Sequence, residues 1–94
     1  MAQHKLEKGF DLHRQGNLPE AKIMYDFFLV EQPLHFDALH LSGLVSYEMG
    51  ALVEAESLFL KAIDVKADFA QIYLSYARVL RDLRRHEEEL TCYQ

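Results

Sequence analysis

The stretch Phe36–Lys66, FDALHLSGLVSYEMGALVEAESLFLKAIDVK, sets apolar residues at helical spacing on both sides of one glycine, Gly50. It predicts two helices, from about Phe36 to Met49 and from Val53 to Lys66, joined at Gly50-Ala51. Upstream, Leu6, Phe10 and His13 form a thin stripe on a first helix over residues 3–15, with Lys5, Lys8 and Asp11 off it. The second helix, to about Glu31, is apolar on more than one face at Ile23, Met24, Phe27, Phe28 and Val30, as expected of a helix touched from two sides. Between them, Gly16 predicts a left-handed cap. Asn17-Leu18-Pro19-Glu20 then starts the next helix, with Pro near its first position and Glu at the capping-box position. Gln32-Pro33 stops that helix. Ala67-Asp68 makes a later turn, and helix five, from Ala70 to about Leu83, carries Tyr73, Tyr76, Ala77 and Leu80 toward the hairpin. Arg84-Arg85-His86 reads as a last turn, without the glycine of the other two, and Glu87–Gln94 as the start of a sixth helix.

The pattern repeats. At a shift of 34 residues, Gly9, Gly43 and Ala77 share one column, Ala21 and Ala55 another, and Tyr25, Phe59 and Tyr93 a third. Gly16 and Gly50 share a further column, each followed by a leucine and an acid: Leu18 and Glu20, Leu52 and Glu54. A fixed period of this length signals stacked helical hairpins. The small residues let two helices approach closely, and Tyr25 and Phe59 fill the space beside them.

With these columns in place the chain resembles the tetratricopeptide repeat family, whose frame carries L-G-x-x-Y, then A-x-x-x-F, then P. Setting its first position at Ala2, Phe36 and Ala70 gives repeats over residues 2–35, 36–69 and 70–94, the third incomplete, so that 1–94 is a single domain. Repeat two matches best, through Gly43, Gly50, Ala55, Phe59 and Ala62; repeat one supplies Gly9, Gly16, Ala21, Tyr25 and Pro33. The resemblance implies an all-α, right-handed solenoid of about two and a half helical hairpins, five full helices plus a truncated sixth. Lys5 and Lys8 stand where the family has large apolar residues, which suits a terminal repeat facing water. Phe28 stands where the family has a small alanine, and Ser42 and Ser46 where it has large apolar residues. Phe28 is therefore expected to fill the volume missing at the two serines.

Composition narrows the functions. Of the 94 residues half are apolar or aromatic, which is globular rather than disordered, and the net charge of -5 argues against general affinity for nucleic acid or anionic membranes. Cys92 is the only cysteine, so no intrachain disulfide or thiolate cluster can form, and a reducing compartment fits. The start, MAQHKLEKGF, has no signal-peptide core, and the longest apolar run, Phe27–Val30, is far short of the about 20 residues of a membrane span. A cytoplasmic location is expected.

No catalytic or metal constellation stands out. The five histidines, His4, His13, His35, His40 and His86, lack the spacing that aims two rings from one helical face, so no metal or cofactor is expected. Cys92 lies near a fraying end, and no glycine-rich elbow surrounds Ser42, Ser46, Ser57 or Ser75. Glu87, Glu88 and Glu89 are consecutive on a helix and cannot converge. The chain is read as having no active site of its own.

What the resemblance implies instead is a concave face, lined by the first helix of each hairpin, that binds a peptide or protein segment. Carried over by position, that face holds Phe10 and His13 from repeat one, His40, Leu44 and Tyr47 from repeat two, and Leu74, Arg78 and Arg81 from repeat three. Phe10, Leu44, Tyr47 and Leu74 would form an apolar floor. Arg78 and Arg81 would form a cationic end suited to a carboxylate, unless Arg81 pairs internally beside Tyr47 and Glu48. The lysine-asparagine clamp of chaperone-tail binders is missing at Leu6, Phe10, Leu41, Gln71 and Ser75, and so is the asparagine ladder at Glu7, Leu41 and Ser75. The phrasing HRQGNLPEA with FDALHLSG is similar to amino-terminal arrays of bacterial multidomain proteins. Three readings follow: a peptide-binding scaffold, the recognition arm of a larger bacterial glycosyl-, methyl- or sulfotransferase, and a homodimer formed through the carboxyl-terminal hairpin.

Overall fold

A computed structural model describes the backbone over residues 2–92 and the side chains over residues 4–87. The chain is all-α: α1 Ala2–Arg14, α2 Leu18–Glu31, α3 Phe36–Glu48, α4 Leu52–Val65 and α5 Ala70–Cys92, with no strand among the described residues. The two glycine joins are built identically. Gly16 and Gly50 take φ of 84° and 82°, a left-handed conformation that any side chain would strain. At each, the glycine N–H bonds back to the carbonyl three residues earlier and the next N–H to the carbonyl five earlier: Gly16 to His13 and Asn17 to Leu12, Gly50 to Tyr47 and Ala51 to Ser46. This is the Schellman pattern, which satisfies the last carbonyls of α1 and α3. The start of α2 differs from expectation. Its N-cap is Asn17, but no side-chain cap bond forms there, so the capping box with Glu20 is absent. At α3 the cap is His35, whose Nδ1 accepts the Ala38 N–H at 3.2 Å.

Within each of the first two hairpins, a glycine meets an aromatic ring. A Cβ added at Gly9 would lie 2.8 Å from Tyr25 Cε1, and one at Gly43 2.4 Å from Phe59 Cε1. Around these pairs lie two core clusters. The first joins Leu6, Tyr25 and Phe28 to Ala38 and Val45; the second joins Leu39, Phe59 and Ala62 to Ile72 and Val79; Leu29 packs against both. Helices pack chiefly on their chain neighbours, while α1 touches α3 and α3 touches α5 along one side. The molecule is accordingly elongated, about 50 × 30 × 20 Å.

Between α2, α3 and α4 sits a lysine that the sequence did not single out. The Lys22 ammonium donates to Asp26 at 2.9 Å and to Ser42 Oγ at 3.0 Å, and forms an ion pair with Glu54 at 3.0 Å. Ser42 is thereby partnered. The Ser46 hydroxyl is buried without a hydrogen-bond partner among the described residues. Phe28 is fully buried, and the ring of His35 stands edge-on to it at 4.9 Å.

The last third of the chain departs from expectation in two ways. Arg84-Arg85-His86 makes no turn: α5 runs unbroken through it to Cys92, so no separate sixth helix is present over the described residues. The reason is local. No glycine supplies a left-handed residue there, and Arg and Glu are good helix formers. Second, the buried stripe of α5 is Ile72, Ser75 and Val79, with Tyr76 and Leu83 partly covered, whereas Tyr73, Ala77 and Leu80 are exposed. Ala77 shares the column of Gly9 and Gly43, but no described helix lies over it as α2 and α4 lie over those glycines. The side chains of Leu90, Cys92 and Tyr93, including the third aromatic of the repeating column, lie outside the described residues.

Candidate functional site

A groove of about 630 Å³ opens between α1, α3 and the start of α5. Its floor is apolar, from Leu6 and Phe10 on α1, Leu41 and Leu44 on α3, and Phe69 just before α5. Its polar rim comprises Glu7 and Asp11 on α1, Asp37 and His40 on α3, and Gln71 on α5. On α1, Leu6 and Phe10 are four residues apart, as are Glu7 and Asp11, so a floor row and a rim row run side by side along one helix. Phe10 and Phe69 remain well exposed, at 43% and 40%, and form the groove's two aromatic sides.

Of the residues expected on this face, Phe10, His40 and Leu44 are brought together in the groove. His13 and Tyr47 are engaged internally. Because a carboxylate only accepts, His13 Nε2 donates to Glu48 at 3.1 Å, while Nδ1 lies 3.1 Å from the Tyr25 hydroxyl. Burial, with the Glu48 charge behind it, pushes the Tyr25 phenol up to about 12. Tyr25 is fully enclosed, so this Tyr-His-Glu chain offers no nucleophile to solvent. Tyr47 donates to Asp82 at 2.6 Å, and that bond, then burial, raises the Tyr47 phenol above its ordinary value. Leu74, Arg78 and Arg81 do not line the groove. Leu74 is 65% exposed, and Arg81 makes only a loose 3.9 Å approach to its neighbour Asp82. In the alternative in which Arg81 pairs internally it stands beside Tyr47 and Glu48; its charge does act on Tyr47, but the hydrogen bonds of these two residues go to Asp82 and His13.

These bonds repeat with the chain. His13 to Glu48 and Tyr47 to Asp82 both join residues 35 apart, so each runs from one position of the repeat to the next position one repeat later. His40 Nε2 to Ser75 Oγ, 3.2 Å, has the same separation. Its counterpart one repeat earlier is the apolar pair Leu6 and Leu41, both in the groove floor.

His40 couples the groove to the core. Its ring lies near those of Phe36, Phe59 and Phe69, and the Ser75 hydroxyl that it bonds passes its own hydrogen to the Gln71 carbonyl at 3.4 Å. Burial holds its basicity below the ordinary imidazole value, against a smaller opposing pull from Asp37. With the folded value depressed, the unfolded chain takes up the proton first as pH falls. Above about pH 6.5 the ring is neutral in both states and its stability contribution is complete; below that the contribution is lost toward the folded value. In urea unfolding from pH 8 to pH 5, His40→Gln is expected to lose less stability than the parent chain. Parallel curves would contradict this.

No family model and no curated protein matches this chain. Among the described residues no group of three His, Cys, Asp or Glu side chains is placed to hold a metal ion, and no helix is long and apolar enough to cross a membrane. Sequence reasoning missed Glu7, Asp11 and Phe69 as groove residues. Phe69 falls between the turn at Ala67-Asp68 and the helix expected from Ala70, Asp11 stands off the apolar stripe, where solvated residues are the rule, and Glu7 figures only as a position of the missing asparagine ladder. The one available signal was that Glu7 and Asp11 flank Leu6 and Phe10 at the same four-residue spacing.

Proposed function

We propose that this chain is a tetratricopeptide-like recognition module that holds a peptide or protein segment in the groove between α1, α3 and α5. The groove itself carries the reading: an apolar floor of five side chains, open to water and left unfilled by the protein's own residues. Exposed apolar surface that is concave and rimmed by polar groups is typical of binding sites. Its volume lies within the range of about 300–1,000 Å³ usual for ligand pockets. Support for the repeat architecture comes from the 34-residue columns, the two identical glycine joins and the bonds that recur one repeat on. Rigid neighbouring helices present the floor, so little ordering free energy is spent on binding.

Peptides selected on the chain from a displayed library of random dodecamers provide the test. Leu44→Glu puts a charge into the floor from a partly buried position and is expected to weaken selected peptides by about tenfold or more, equivalent to about 1.4 kcal/mol. Far-UV circular dichroism should be unchanged. Binders indifferent to Leu44→Glu would place recognition elsewhere.

A further inference from the structure

Resting on the groove reading above, we propose that the segment it selects is cationic, with apolar side chains on the floor and lysine or arginine against Glu7, Asp11 and Asp37. All three carboxylates line the groove, and no lysine or arginine does. Elsewhere in the described structure several acids have a basic side-chain partner: Glu31 with Lys5, Glu54 with Lys22 and Glu48 with His13 across helices, and Asp26 with Lys22 within α2. The groove acids have no such ion pair among the described residues.

The fold gives little reason for two of them to be acidic. Asp37 sits in the first turn of α3, where the helix dipole favours a negative charge. Glu7 and Asp11 are four residues apart on α1 and repel each other, and Asp11 lies in the last turn, where the dipole opposes it. A cation laid across the groove would relieve both. Two protein cations stack on the groove's aromatic sides: Arg14 is 5.8 Å from the Phe10 ring and Lys66 5.7 Å from that of Phe69. Lys8, one turn from Asp11 on α1, does not line the groove, whose lining holds three carboxylates and no lysine or arginine. His40 adds no positive charge near neutral pH, since burial keeps it uncharged. Arg78 and Arg81 are seven and ten residues along α5 from Gln71, roughly 10–15 Å by helical rise, which exceeds the screening length of about 8 Å at physiological salt. They do not neutralise this end.

Groove binders can be isolated by selecting the random dodecamer library on the parent chain and discarding sequences that also bind Leu44→Asn, which breaks the apolar floor without adding charge. Lysine and arginine are expected to be enriched among them, and aspartate and glutamate depleted, relative to the input library. A synthetic representative should lose about tenfold in affinity against Glu7→Gln/Asp11→Asn, and a comparable factor when salt is raised to about 500 mM, because exposed charge contacts are weak singly and screened. Removing the repulsion on α1 should hold or raise the melting temperature of that double variant, which separates lost recognition from lost folding. Groove binders without basic enrichment, or insensitive to the double variant, overturn the charge selectivity and leave the groove reading standing. A library that yields no groove-dependent binder overturns both.

Discussion

Phe28→Ala should lower the unfolding free energy by about 3–5 kcal/mol, the usual consequence of removing a buried phenylalanine ring. Phe28 has no exposed surface and shares a cluster with Tyr25, Ala38 and Val45, so its ring is part of what holds α2 against α3. The neighbourhood has little with which to refill the space. Ser42 on the facing helix is held by Lys22, and the Ser46 hydroxyl is buried without a partner among the described residues. Truncation would also take away the ring against which His35 stands, and His35 caps α3. Because the chain has no tryptophan, urea unfolding followed by far-UV circular dichroism is the suitable measurement. A loss below about 1 kcal/mol would mean that the ring does not join the two hairpins.

The second large effect is expected at Gly43. Alanine is a better helix former than glycine by about 1 kcal/mol. Yet its Cβ would fall 2.4 Å from Phe59 Cε1, and Phe59 is fully buried, so the ring must move within a packed core. Overpacking of this kind costs about 1–3 kcal/mol, so Gly43→Ala should be a net loss of up to about 2 kcal/mol despite the gain in helix propensity. A double-mutant cycle identifies the cause. In a Phe59→Leu background the same substitution should cost less, because the clashing edge is gone. Equal costs in both backgrounds would locate the strain elsewhere.

Much of the fold was legible because a few positions carry backbone requirements that only certain residues meet. A glycine at positive φ ends α1 and α3, and a residue without a side chain beneath an aromatic closes each hairpin. Both devices recur at a fixed interval, so each column corroborates the other. The same reasoning failed at residues 84–86, where periodicity was followed although the glycine it depends on was missing; a chain of helix formers without a left-handed residue simply continued. The site was legible only in part. Helical spacing told which side of α1 and α3 His13 and Tyr47 occupy, but not that each would meet an acid on the next repeat. That depends on the offset between helices, which no single helix records. Read together, the positions do carry it: His13, Tyr47 and Arg81 form a column of donors, and Glu48 and Asp82, one position on, a column of acceptors.

That bond has a direction, with the donor always on the earlier repeat and the acceptor on the later one. The two ends of the stack are therefore chemically unlike, as the ends of a filament-forming subunit are, and head-to-tail contact is the geometry that can propagate without closing. Here the terms are mismatched. A second copy laid with its α1 on α5 in the same register would bring Arg14, which occupies the first acceptor position, against Arg81, which occupies the last donor position. Two guanidinium groups would meet where the two described layers set a donor against a carboxylate, so in that register the first and last repeats of this segment are not complementary.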